Sequence, residues 1–146
     1  MDLKELKKLA HQFDQKEWPF SAAQVWKEVV ALDPSPYHKI YYAEQLYYCG
    51  DFEAAETVLN GIKAYQILPQ QQCFWFTLKG RIYTEQNKIE LAVNAFKKGI
   101  EVGTEESYTY VFLGTLLARI GELDEAKQVF FQALEKDGDI AEVYYN

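Results

Sequence analysis

The side chains best suited to catalysis or metal binding are scarce in this sequence. Its two histidines, His11 and His38, stand in no metal-binding spacing with Cys, Asp or Glu. Cys73 and a distant histidine would supply a nucleophile and a base, but a core thiol is the more common role of such a cysteine. We therefore predict that the protein is not an enzyme and that it has no catalytic or metal-binding residues.

Sites for phosphate, calcium or a cofactor are not indicated either. The sequence has no glycine-rich loop of the kind that cradles phosphate groups. Asp137-Gly138-Asp139 lacks the additional oxygen ligands and the terminal glutamate of a calcium-binding loop. No cofactor is predicted.

The charge and hydropathy of the chain restrict its partners. The 146 residues carry a formal net charge of −7, which argues against electrostatic binding to nucleic acid. Hydrophobic residues make up 49% of the chain, enough for a packed core. The longest apolar stretch, Val111 to Ala118, is too short to span a membrane. Neither nucleic acid nor a membrane is predicted as a partner.

Cysteine usage and the start of the chain predict a cytoplasmic location. Cys49 and Cys73 have no C-x-x-C spacing, and we interpret both as buried thiols in a reducing compartment, with a disulfide as the alternative. The basic residues near the start are not followed by the apolar stretch, about 7–15 residues long, of a signal peptide.

The segment from Tyr110 to Gly138 has the pattern of two amphipathic helices. The first helix has one apolar face with the i, i+3, i+4, i+7 spacing, at Tyr110, Leu113, Gly114 and Leu117. Gly121 is predicted to end that helix because glycine readily adopts a left-handed conformation. The second helix has its apolar face at Leu123, Ala126, Phe130, Ala133 and Leu134. The small residues Gly114 and Ala126 are expected where the two helices approach most closely.

This pattern resembles the tetratricopeptide repeat, a unit of about 34 residues with W-x2-L-G-x2-Y in its first helix, A-x3-F in its second and P at its end. The chain departs from it where Tyr110, Leu117 and Gly138 replace the Trp, Tyr and Pro. One repeat length earlier the same offsets give a second copy, at Phe76, Lys79, Gly80, Tyr83, Ala92, Phe96 and Gly99.

The resemblance implies an all-α fold, a right-handed α-solenoid of about four helix-turn-helix repeats that form a single domain over residues 1–146. The predicted repeats are 3–36, 37–72, 73–106 and 107–140, and 141–146 begins a further repeat helix. We interpret that incomplete helix as the sign of a fragment of a longer repeat protein, with a natural terminus as the alternative.

The repeat spacing is interrupted once, around residues 67–72. Three extra residues fall there, and either a longer helix or a looser loop would accommodate them. Pro69 argues against a helix that continues through this position. We favour a tolerated surface insertion.

The resemblance also implies a non-enzymatic protein–protein interaction module. In this family the first helix of each repeat lines a concave groove that holds a peptide or a partner helix. Carried onto this chain, the groove positions also include Asp14. The residues predicted to contact the partner are Lys7, His11, Tyr37, Glu44, Tyr47, Tyr48, Phe74, Thr77, Arg81, Tyr108, Thr115 and Arg119.

The tyrosines at these positions allow two interpretations. Tyrosine gives a large contact area and a hydroxyl group, which makes it common in interfaces, but tyrosines also pack between neighbouring helices. Exposure is expected for Tyr37, Tyr48 and Tyr108, whereas the two interpretations are equally weighted for Tyr41 and Tyr42. The Lys, Asn and Arg residues with which some members of this family hold a chaperone's C-terminal carboxylate are absent, apart from Lys7.

Self-assembly is the alternative function. The incomplete last helix, Ala141 to Asn146, contains Tyr144 and Tyr145 and could pack on the first repeat of another copy, which would produce a head-to-tail homo-oligomer.

Overall fold

A computed structural model describes residues 1–103 and 106–137, which form helices and no strands. The chain divides into two compact units. The N-terminal unit, Met1–Ile67, contains four α-helices and a short 3₁₀ helix at Ala64–Gln66; the α-helices are α1 (Leu3–Gln15), α2 (Pro19–Leu32), α3 (Pro36–Tyr48) and α4 (Phe52–Asn60). The C-terminal unit begins at Leu68 and contains α5 (Pro69–Glu85), α6 (Ile89–Val102), α7 (Tyr108–Arg119) and α8 (Leu123–Lys136).

Each odd-numbered helix forms a hairpin with the helix that follows it, and all four turns are built in the same way. Three residues separate the two helices, and the middle residue has a positive φ: 57° at Glu17, 83° at Gly50, 59° at Asn87 and 88° at Gly121. The next amide then donates a hydrogen bond back into the first helix, as from Trp18 N to Phe13 O at 3.1 Å. This is the helix-ending motif that the sequence predicted at Gly121 and Asn87.

Glu17 is the exception among the four turn residues, because an L-residue with a Cβ atom is strained in this conformation. Replacing Glu17 with Gly should raise the free energy of unfolding by about 0.5–1 kcal/mol, the left-handed strain of glutamate less the extra chain entropy of glycine. Urea denaturation followed by circular dichroism measures this effect. Asn87→Gly is the matched control and should change stability less, since asparagine tolerates the conformation. A destabilised Glu17→Gly variant would contradict the strain assigned to this turn.

The hairpins of the C-terminal unit pack through a glycine covered by an aromatic ring. A Cβ atom added at Gly80 would lie 2.6 Å from the Phe96 ring, and one added at Gly114 would lie 2.7 Å from the Phe130 ring. Each glycine is on the first helix of its hairpin and each phenylalanine on the second. The close approach expected at Gly114 is thus confirmed, and it recurs one repeat earlier.

The core of the N-terminal unit is centred on Trp26 of α2, whose side chain is completely buried. Around it the buried members of this core are Leu6, Ala10, Ala22 and Val29. These residues come from the predicted apolar faces of α1 and α2, so each helix buries a face that it could not bury alone.

The insertion in the repeat spacing is divided between a loop and a longer helix. After α4 ends at Asn60, the 3₁₀ helix intervenes and α5 begins at Pro69, four residues before the start predicted for the third repeat at Cys73. Pro69 is the first residue of α5, where its missing N–H costs no helical hydrogen bond. Within this segment Tyr65 is exposed, whereas Ile62 and Ile67 are buried.

The cysteines differ from one another. Cys73 is buried as predicted, but Cys49 lies at the end of α3 and is only partly buried, so the expectation of two buried thiols was wrong for Cys49. Both are free thiols. Burial, together with the negative charge of Asp51, raises the pKa of the Cys49 thiol above its usual value. No helix within the described ranges is long and apolar enough to cross a membrane.

Candidate binding site

A cavity of about 480 Å³ opens in the N-terminal unit where the ends of α1 and α3 lie beside the α1–α2 turn. Its lining is acidic and aromatic, and consists of Asp14, Glu17, Pro19, Glu44, Gln45 and Tyr48. Two of these residues, Glu44 and Tyr48, are among those predicted to contact a partner. The cavity thus lies on the first helices of two consecutive hairpins, where the repeat family would place its groove.

Asp14 connects this cavity to the core beneath it. The Nε1–H of the buried Trp26 donates to both carboxylate oxygens of Asp14, at 3.1 and 3.2 Å, and His11 Nδ1 lies 3.6 Å from Oδ2. Burial raises the pKa of the Asp14 carboxyl above its ordinary value of 3.8, while the hydrogen bond from Trp26 and the His11 ring oppose that rise. The carboxylate is therefore held in place by an indole N–H.

The raised pKa of Asp14 gives the protein a pH dependence that Asp14→Asn should remove. A group whose pKa is higher in the folded state stabilises the fold below its unfolded pKa, and that contribution is lost as pH rises through the folded pKa. The stability of the wild type relative to Asp14→Asn should therefore fall as pH rises above about 3.8 and then level off. Urea denaturation of both proteins between about pH 3.5 and 7 provides the measurement. A difference that stays constant or grows with pH would contradict the assignment.

The aromatic residues of α3 divide between packing and exposure. The Tyr41 ring stacks on Trp26, with centroids 5.1 Å apart, and meets the edge of His11 at 5.4 Å. Tyr42 is also half-buried against this core. Both tyrosines are thus part of the packing between helices, whereas Tyr48 is 50% exposed beside the cavity. Tyr37, for which exposure was expected, is half-buried.

Thr77 does not belong to an open surface, and its prediction as a partner-contacting residue was wrong. Its side chain is 2% exposed and its hydroxyl donates to the carbonyl oxygen of Cys73 at 2.8 Å. Thr109 of α7, also buried, places its Oγ1 2.8 Å from that of Thr77, so it donates the second hydrogen bond. Thr77 therefore joins α5 to α7 inside the C-terminal unit.

Phe112 organises the remaining surface of the C-terminal unit. The Arg81 guanidinium lies over the Phe112 ring at 4.7 Å from its centroid, and the Tyr108 ring meets Phe112 edge-on at 6.2 Å. Arg81 and Tyr108, both half-buried, are thus brought together on α5 and α7. The exposure expected for Tyr108 is only partial.

The other predicted partner-contacting residues differ in accessibility. His11, Thr115 and Arg119 are exposed, and Lys7, Tyr47 and Phe74 are half-buried. The cavity also contains two residues that the sequence did not indicate, Glu17 and Gln45. Glu17 shares the left-handed turn position with Gly50, Asn87 and Gly121, so the turn offset could have placed it, but no pattern distinguished Gln45.

Self-assembly through Ala141 to Asn146 stays a prediction, because this segment and the Gly138 that precedes it lie outside the described residues. Asp137 is described, Asp139 is not. Within residues 1–103 and 106–137, no three His, Cys, Asp or Glu side chains are grouped so that they could hold a metal ion.

Comparison with known proteins places this fold. The sequence profile described as tetratricopeptide repeat matches residues 76–102 and 107–139. No curated protein sequence matches the chain. Among solved structures, residues 41 to the end of MamA from Desulfovibrio magneticus RS-1 are similar over 94% of this chain and 77% of that one, with 19% identity and a TM-score of 0.81.

Two further structures extend the similarity to nearly the whole chain. TTC0263, a thermophilic TPR protein from Thermus thermophilus, matches 99% of this chain and 82% of its own, with 17% identity and a TM-score of 0.78. YrrB, described as a TPR protein with an unusual peptide-binding site, matches 99% of this chain and 73% of its own, with 17% identity and a TM-score of 0.68. At these identities the likeness shows the fold alone.

The protein is thus an all-α repeat protein of the α-solenoid class, built from helical hairpins. Its repeats are tetratricopeptide repeats, and the chain belongs to that family: the sequence profile matches the last two hairpins, and the structural similarity covers all four.

Proposed function

We propose that this protein is a protein–protein interaction module that holds a segment of a partner against the ends of α1 and α3. The observation that supports this most directly is the cavity of the N-terminal unit, which opens on the first helices of two consecutive hairpins. Tyr48 at its edge is half exposed and offers the contact area typical of an interface anchor. We expect no catalytic step in this role.

The family and its relatives agree with the proposal at the level of class. Tetratricopeptide repeats are interaction modules, and YrrB, a protein with this fold, is described as having a peptide-binding site. The further residues proposed to contact the partner, in the C-terminal unit, are Phe74, Arg81, Tyr108, Thr115 and Arg119.

The experiment is a selection of peptides from a random displayed library on the intact chain, followed by binding measurements with two variants. Tyr48→Ala should weaken the selected peptides about tenfold or more, as expected for loss of an interface aromatic. Phe20→Ala is the matched control, since Phe20 is a 72% exposed aromatic residue in the same unit but lies on a second helix. Equal binding by wild type and Tyr48→Ala would show that the proposed surface is not the binding site.

A further inference from the structure

The cavity at the ends of α1 and α3 has a lining of one charge sign. Three carboxylates, those of Asp14, Glu17 and Glu44, line it together with Tyr48, and its lining includes neither Lys nor Arg. Lys16 beside it is directed elsewhere, with its Nζ 5.3 Å from the centroid of the Trp18 ring. The nearby charges therefore favour a positively charged occupant.

Gln45 is a second and independent indication of a ligand. It lines the cavity although its residue surface is only 4% exposed, and its side-chain amide forms no hydrogen bond with the residues in 1–103 and 106–137. A buried amide without a partner costs free energy, and most such groups in folded proteins are paired. A ligand that donates a hydrogen bond to the amide oxygen would remove this cost.

The spread of the carboxylates favours an organic cation over a metal ion. In the described part of the chain, no three of the residue types that bind metals are close enough together to hold one ion. A guanidinium group is planar and presents five N–H donors, so it can reach several separated acceptors at once. It also stacks on aromatic rings, and Tyr48 provides one at the edge of the cavity.

We propose that this cavity takes an arginine side chain of the bound partner, held by Asp14, Glu17 and Glu44, with the Gln45 amide as an additional acceptor and the Tyr48 ring against the guanidinium. This inference rests on the proposed function, and it names the chemistry of the partner: a segment with an arginine at the position that meets α1 and α3. Lysine fits less well because its ammonium is a compact point charge.

Strain at the cavity is consistent with this role. Glu17 has a φ of 57° at a turn where two of the other hairpins have glycine and the third has asparagine. Glutamate costs stability at this position, and glycine would relieve the strain but remove a carboxylate from the cavity. Residues strained in this way tend to lie at functional sites.

The first test uses N-acetylarginine amide as a probe, titrated into the isotopically labelled full chain and followed by NMR. Chemical-shift changes that saturate and are confined to the residues around the cavity are expected. N-acetylcitrulline amide, which has nearly the same shape without the charge, should cause no comparable change. Equal changes from the two probes, or changes spread over the whole surface, would overturn the proposal.

Two variants locate the effect. Glu44→Gln should weaken the arginine probe about tenfold, as expected for a lost charge-assisted hydrogen bond, whereas Glu28→Gln on the exposed face of α2 is the matched control and should leave binding unchanged. Similar losses in both variants would show that the probe responds only to net charge, which would overturn the assignment to this cavity.

The selected peptides separate this inference from the proposed function. If peptides that depend on Tyr48 contain an arginine whose replacement by citrulline weakens them about tenfold, and by lysine less, both proposals are supported. If such peptides bind equally well with citrulline, the groove function stands and the arginine inference fails. If no selected peptide depends on Tyr48, both fail.

Discussion

Replacement of Trp26 with Ala should lower the free energy of unfolding by about 3–5 kcal/mol, the usual cost of removing a large buried aromatic side chain. Trp26 is completely buried, stacks on Tyr41 and donates its indole N–H to Asp14. The variant leaves a cavity in the core of the N-terminal unit and removes the donor from a half-buried carboxylate. Urea denaturation followed by circular dichroism measures the loss.

Two further variants divide this effect into its parts. Trp26→Phe retains most of the packing and removes the hydrogen bond to the carboxylate, so it should cost about 1.5–3 kcal/mol. Trp18→Ala is the control for loss of a tryptophan in the same unit; because Trp18 is 53% exposed, its cost should be far smaller. Similar losses for Trp18→Ala and Trp26→Ala would contradict the central place of Trp26.

Replacement of Gly80 with Ala should destabilise the C-terminal unit by about 1–3 kcal/mol, the range for forcing an extra methyl group into a packed core. The new Cβ would lie 2.6 Å from the Phe96 ring, a distance at which the ring must move. Phe96 is 1% exposed, so its ring has no open space to enter. Alanine otherwise favours a helix over glycine, so a net loss would be due to the clash.

Gly99→Ala provides the matched control in the same unit. A Cβ atom at Gly99 would lie 3.4 Å from the nearest atoms, Phe76 Cβ and Thr77 Oγ1, a tolerable contact. This variant should gain about 0.5–1 kcal/mol from helix propensity. A double variant, Gly80→Ala with Phe96→Leu, should cost less than the sum of the two single changes, because the smaller side chain relieves the clash. Unchanged or raised stability in Gly80→Ala would show that the ring is not held in place.

Local patterns in the sequence predicted the helices and their turns well. Gly121 and Asn87 indicated the left-handed turn positions because only a few residue types tolerate that conformation. Gly114 indicated the close helix approach, which depends on the absence of a side chain. These features are determined by one residue and its neighbours along the chain, so a single sequence is sufficient to identify them.

The candidate site was predicted less completely, because it depends on contacts between helices. Thr77 was assigned to a groove by counting positions, but its hydroxyl is paired with Thr109 on another helix, a partner that counting cannot reveal. Glu44 and Tyr48 do line the cavity, whereas Glu17 and Gln45 were not indicated. Glu17 was missed because glutamate gives no signal for a left-handed turn, and Gln45 because its burial follows from how α3 packs.

The pairing of a small residue with a large one has a consequence for recombination between repeats. Gly80 and Phe96 lie 16 residues apart, as do Gly114 and Phe130, and the same offset relates two fully buried pairs in the N-terminal unit, Ala10 with Trp26 and Ala43 with Leu59. Duplication of an intact hairpin copies both members of a pair. A crossover within a three-residue turn would instead join α1 to α6 and place a phenylalanine ring where a methyl group already stands. The hairpin, cut between repeats and never within its turn, is therefore the smallest segment that this chain can exchange without a clash.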